Sequence, residues 1–271
     1  DLIGEPGPLA DAEINAAATD ILRGLGFGPG AVRVRLSDRR VIRALLLAAG
    51  VSDRVTEGRA DRELACRYAT AVLAAGIEPA VEERGRAEIA VSGGSTPGRM
   101  LKLLAGVELP WSDVHVFQVD ERIAPHGDRA RNANAIIAAL GGLPACLHLM
   151  PVTAGDLAAA ALRYAAQLPE SFDVVHLGLG TDGHTASLVP GDAVVDVRDR
   201  RVALTDPYQG HRRMTLTRPV LDAARLRVWL VTGEDKAPAV ERLLAGDPGQ
   251  VAARVRASAS MVILDTAAAG R

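Results

Sequence analysis

Glu88-Ile-Ala-Val-Ser-Gly-Gly-Ser-Thr-Pro97 joins a short apolar run, a glycine-hydroxyl turn and a proline. It reads as a buried strand that turns directly into a helix starting near Gly98 and running to Ala105. The same grammar recurs downstream. Val114 to Val119 reads as a second strand ending in Asp120-Glu-Arg122, and helices are expected over Asn132 to Leu140 and Ala154 to Gln167. Phe172-Asp-Val-Val-His-Leu177 is a third strand, running into Gly178-Leu-Gly-Thr-Asp-Gly-His-Thr-Ala-Ser187. Further strands are expected at Val202 to Leu204, Arg213 to Thr217, Arg227 to Val231 and Met261 to Leu264, with a helix over Lys236 to Ala245. A helix over Asp61 to Gly76 precedes the whole series. Apolar strands separated by helices predict an α/β fold: three layers, α/β/α, around a mostly parallel, Rossmann-like sheet. In such sheets ligands bind beyond the carboxyl ends of the strands, which is where the polar clusters fall.

Composition narrows the function classes. Aromatic residues are 3% of the 271 residues, too few for a base-stacking surface, and the net charge of −2 offers no basic footprint, so no nucleic-acid partner is expected. No run approaches the roughly 20 apolar residues of a membrane span, so no membrane partner is expected either. Asp1 to Pro8 is acidic and turn-forming, unlike a secretory signal. Cys66 and Cys146 have no CxxC spacing, cannot form a metal cluster by themselves and are not expected to form a disulfide, which points to a reducing, cytoplasmic setting.

The candidate site residues cluster at strand ends. Ser92, Gly93, Gly94, Ser95 and Thr96 can turn backbone amides and hydroxyls toward a phosphate at a helix N-terminus, although a plain capping turn uses the same residue types. Asp120 and Arg122 suit either a site or a solvated loop. Gly180 and Gly183 permit a sharp turn that holds Asp182 and His184 at its rim. A histidine suits general-base work at neutral pH, and an adjacent carboxylate can orient it. Arg213 and Lys236 could bind an anion or merely face solvent. There is no Gly-x-Ser-x-Gly elbow and no HxH or HExxH spacing, so neither a serine hydrolase nor a metal-dependent one is expected.

In order and spacing, Ala90 to Pro97, Val116 to Arg122, Arg131-Asn132, Leu177 to Leu188, Arg213 to Thr217 and Val262 to Asp265 resemble the 6-phosphogluconolactonase family. The resemblance runs from about residue 57 to the C-terminus. It implies a fold related to glucosamine-6-phosphate isomerase and hydrolysis of 6-phosphoglucono-δ-lactone in the oxidative pentose phosphate pathway, without metal or cofactor. It assigns His184 as the base, with Asp182 as its support. Gly93 to Thr96 would cradle the phosphate with Arg213 and Lys236, and Asp120 and Arg122 would line the sugar end. The expected partner is a sugar-phosphate lactone, met by a monomer or weak homodimer. Two other readings share this fold. The isomerases follow their Asp-Gly-His with a stretch ending in Asn-Glu-Pro, where this chain has Ser187-Leu-Val-Pro190. A sugar-phosphate sensor would have no use for a base. Residues 1–55, from Asp1-Leu-Ile-Gly through Arg39-Arg40 to Val51, are similar to part of the histidyl-tRNA synthetase catalytic domain but lack its ATP and histidine motifs. They are expected to form a small, non-catalytic α+β appendage, a fusion relic or gene-joining accident, distinct from a domain over 56–271.

Overall fold

The computed structural model describes residues 59–256 and 259–270. The expectations for residues 1–55 lie outside them.

Six strands form one all-parallel sheet: β1 (Ala87–Val91), β2 (Val114–Gln118), β4 (Cys146–His148), β5 (Val174–Leu177), β8 (Leu226–Val231) and β9 (Ser260–Leu264). Their order is β4-β2-β1-β5-β8-β9. Successive residues of each strand enter opposite cores, as the two-residue period requires. Ile89, Val91, Val114, Val116, Val174, Val228 and Leu230 pack on one face, and Ala90, Phe117, Val175, Leu177, Trp229 and Val231 on the other. The first face is covered by α1 (Arg59–Arg84), α2 (Ser95–Leu104) and α3 (Asn132–Leu140). The second is covered by α4 (Leu157–Ala165), α5 (Arg218–Ala223) and α6 (Ala237–Ala245). This is the expected three-layer α/β/α arrangement.

Helix α1 runs past Gly76 to Arg84, with Pro79 inside it. Residues 62–84 are long and apolar enough to cross a membrane by length and composition, which corrects the reading that no segment is. Its apolar residues are nonetheless used inside the protein. Cys66, Ala69, Leu73, Ile77 and Ala80 recur at helical spacing and are buried against the sheet. Complete burial of a side chain such as Leu73 or Ile77 contributes about 1.5–3 kcal/mol over leaving it exposed. Helix α4 is shorter than expected because Asp156 caps it, accepting from the Ala159 amide at 2.9 Å.

Asp120-Glu-Arg122 is not the end of β2. It is a separate strand, β3 (Asp120–Arg122), in a second, antiparallel sheet with β7 (Arg213–Leu216) and β6 (Val202–Leu204). Met214, Leu216, Val202 and Ala203 pack this small sheet into the second core, above the carboxyl ends of the main strands. The strand order of the main sheet reverses between β1 and β5: β2 and β4 lie on one side, β8 and β9 on the other. The turns leaving β1 and β5 therefore diverge at the crevice where open α/β sheets hold their ligands.

Candidate active site

The turn leaving β5 is tied across itself. Thr185 Oγ1 donates to the Gly178 carbonyl at 2.9 Å, the Gly180 amide to the His184 carbonyl at 2.8 Å, and the Gly183 amide to the Gly180 carbonyl at 3.0 Å. Gly183 has φ +83°, and a Cβ there would lie 2.4 Å from Cγ of Gln250. A Cβ on Gly180 would lie 2.1 Å from His184 Nδ1 and 2.5 Å from Asp182 Oδ1, so the imidazole and carboxylate occupy the space a side chain would take. Asp182 Oδ1 is 2.6 Å from His184 Nδ1 and also accepts from the His184 amide at 3.1 Å. Asp182 Oδ2 accepts from the Tyr208 hydroxyl at 3.0 Å, and the Tyr208 ring stands edge-on to His184. Burial pushes the Asp182 carboxyl up, but the His184 amide and ring and the Tyr208 hydroxyl outweigh this and hold it below the ordinary value. It is a carboxylate at neutral pH. Nδ1 therefore carries the ring hydrogen that faces it, leaving the Nε2 lone pair free.

Beyond His184 the chain passes Ala186, a non-glycine residue at φ +52°, to buried Ser187. Ser187 Oγ donates to Asp120 Oδ2 at 2.5 Å, and its amide to Thr215 Oγ1 at 3.2 Å. The turn after β5 is thereby fastened to the small sheet. Asp120 is 5% exposed, and its other oxygen accepts from Asn132 Nδ2 at 3.0 Å. Arg122 Nη1 donates to Asn132 Oδ1 at 2.6 Å and to the Ala130 carbonyl at 3.0 Å. Between them Glu121 is fully buried and accepts five bonds, from the amides of Arg122, Asn132 and Ala133, from Gln118 Nε2 and from Arg131 Nε. Two of those amides open α3, so Glu121 caps that helix from outside.

At the neighbouring strand end, Ser92 is buried and its hydroxyl donates to the His176 carbonyl at 3.0 Å, which commits the side chain to the sheet. A Cβ on Gly93 would lie within 2.1 Å of Asn132 Oδ1, and Gly94 has φ +112°. Gly94 and Ser95 are exposed. Helix α2 has no side-chain N-cap, so the capping-turn alternative is not realised and its first amides remain open to an anion. Thr96 Oγ1 meets Thr232 Oγ1 at 3.0 Å, bringing in the turn after β8. Lys236 lies in that turn, 3.7 Å from Asp235.

Arg213 opens β7 in register with Arg122 and is 3% exposed. Its guanidinium lies 5.0 Å from the Tyr208 ring centre and Nη2 donates to Gln209 Oε1 at 3.4 Å, while buried Nε has no acceptor. Burial depresses its pKa, Asp120 raises it and Arg122 lowers it further. An incompletely paired, desolvated cation of this kind can accept an anion.

The structure thus brings together Asp182, His184, Arg213 and Asp120 through Tyr208 and Ser187, and sets the Gly93–Thr96 turn beside them. Sequence reading did not assign Tyr208, Gln209, Asn132 or Ser187 to the site. Asn132 could have been found from its place in the matching Arg131-Asn132 pair, whereas Tyr208, between Pro207 and Gly210, carries no pattern of its own.

Residues 60–264 match the family model described as glucosamine-6-phosphate isomerases/6-phosphogluconolactonase. A 6-phosphogluconolactonase of Synechocystis is 37% identical over 198 residues, which are 66% of this chain and 80% of the relative. A solved 6-phosphogluconolactonase from Shewanella baltica superposes with a TM-score of 0.69 at 27% identity, covering 75% of this chain and 94% of its own. A monomeric glucosamine-6-phosphate deaminase superposes with a TM-score of 0.68 at 19% identity, over 77% and 96% of the two chains, which is a likeness of fold alone.

Proposed function

The chain belongs to the glucosamine-6-phosphate isomerase/6-phosphogluconolactonase family, and on that premise we propose that it hydrolyses 6-phospho-D-glucono-1,5-lactone with His184 as its general base. The carrying observation is the 2.6 Å Asp182–His184 pair on a turn at the sheet's switch point.

In this mechanism His184 Nε2 takes a proton from a water that attacks the lactone carbonyl carbon. The tetrahedral intermediate collapses, breaking the bond from that carbon to the ring oxygen. The imidazolium then returns its proton to the departing oxygen, and the base is restored. Asp182 stabilises the imidazolium and fixes the ring, with Tyr208 holding the carboxylate in turn. The open amides of Gly93 to Thr96 receive the phosphate, with Arg213 and Lys236 as cationic partners. Asp120 and Arg122 border the sugar end, Asp120 by holding the Ser187 turn in place. The reading places the enzyme in the cytoplasm, acting as a monomer or weak homodimer on this small substrate.

The stretch after His184 favours hydrolysis over isomerisation. Ser187 and Leu188 are fully buried, Leu188 in the apolar core, so no carboxylate stands there to share ring opening with the histidine. The purified chain should therefore accelerate lactone hydrolysis above its spontaneous rate and release no ammonia from glucosamine 6-phosphate. Ammonia release without lactone hydrolysis would replace this reading with the isomerase one, and binding without either turnover would replace it with a sensor. Arg213→Ala should raise KM roughly 10–100-fold while changing kcat less, given the 1.5–3 kcal/mol typical of hydrogen bonds to charged groups. An unchanged KM would remove Arg213 from the substrate site.

A further inference from the structure

The outer edge of the main sheet carries a second cluster of chemistry-bearing side chains, none of which serves the proposed hydrolysis. Strands β2 and β4 pair in parallel with His115 opposite Cys146 and Phe117 opposite His148. Residues two apart on a strand share a face, so His115, Cys146 and His148 project from the same side. His115 Nδ1 lies 3.0 Å from His148 Nε2, and Cys146 Sγ lies 3.4 Å from the same nitrogen. All three ligand atoms fall within 4.8 Å of one another.

We propose that His115, Cys146 and His148 form a binding site for one borderline-soft divalent transition-metal ion, with Zn2+ as its type. Two imidazoles and a thiolate are the donors such ions prefer. Tetrahedral bonds of about 2.0–2.1 Å to nitrogen and 2.3 Å to sulfur place ligand atoms about 3.3–3.6 Å apart. The two nearest separations already approach that spacing. His148 is also oriented as metal-bound histidines are. Its ring stacks on Phe117 at 4.1 Å with planes 2° apart, and its Nδ1 lies 3.4 Å from Gln167 Oε1. The Gln167 carbonyl accepts the Nδ1 hydrogen, which leaves the Nε2 lone pair facing the other two ligand atoms. Glu88 stands in register beside His115 on β1 and adds negative charge next to the cluster. Cys146 is exposed, so the ion has a path in, and a water completes its fourth position. On binding, the thiol proton leaves to solvent. The ion would clip the three-residue edge strand β4 onto β2, away from the strand ends that carry His184.

The competing account is a plain hydrogen bond between two imidazoles, and cobalt separates the two. The full chain, stripped with a chelator and desalted, is titrated with Co2+. The expected result is a thiolate-to-cobalt charge-transfer band and tetrahedral visible bands that saturate at one equivalent and vanish when Zn2+ is added. Cys146→Ser should abolish the charge-transfer band while keeping the far-ultraviolet circular dichroism and lactone hydrolysis of the parent. Cys66→Ser, at a fully buried position, should keep the band. In the parent protein, Zn2+ should also slow alkylation of Cys146 at least about tenfold, a readout that needs no variant. Absence of the band, its survival in Cys146→Ser, or unchanged alkylation with saturating Zn2+ would overturn the assignment.

Discussion

His184→Ala is expected to lower enzyme-catalysed lactone hydrolysis by about 10²–10⁴-fold, the range typical of losing a positioned general base. The substitution removes the only group in the turn whose lone pair is free to take a proton, since Asp182 is occupied by three donors. The turn itself should persist, because it is closed by backbone bonds and by Thr185, not by the imidazole. The loss should therefore fall on kcat, measured after subtracting the spontaneous reaction, with circular dichroism unchanged. A variant that hydrolyses as fast as the parent would end the assignment of His184 as base.

Glu121→Ala is expected to be the most damaging single change to stability, about 3–5 kcal/mol in denaturant unfolding. The glutamate is fully buried and accepts five donors, among them the guanidinium of Arg131, which is itself 8% exposed. Truncation leaves that guanidinium without its carboxylate partner and three backbone amides without an acceptor, in a place water does not readily reach. A loss below about 1 kcal/mol would show that solvent enters and that the cap on α3 is dispensable.

These two residues mark what the sequence revealed and what it hid. The turn that pairs Asp182 with His184 was legible because glycines at 180 and 183 announce a bend and set the two side chains two residues apart. The strands of the main sheet were legible because burial on both faces makes them nearly continuous apolar runs. Asp120-Glu-Arg122 misled for the complementary reason. Three consecutive charges read as a solvated strand end, yet here Asp120 is consumed by Ser187 and Asn132, and Glu121 by the start of α3. Long-range hydrogen bonding, invisible to any local pattern, turned a polar tripeptide into a buried strand. β4 escaped because Cys146-Leu-His148 is a part-exposed tripeptide without the apolar run that marked Val202 to Leu204, and α5 because six residues are too few for a helical period to emerge. The His115–Cys146–His148 cluster escaped likewise. The cysteines were weighed against each other, whereas the register of β2 and β4 set one of them beside two histidines.

The bond from Ser187 to Asp120 spans 67 residues, and β3 finds its partner β7 still later in the chain. Contacts this distant carry a larger loop-closure cost than local ones and require that the later segments be present. During synthesis, β1, β2 and their helices emerge well before the segments that hold the His184 turn in place. The protein can thus acquire much of its scaffold while remaining inert, and competence for turnover arrives as a late event of maturation.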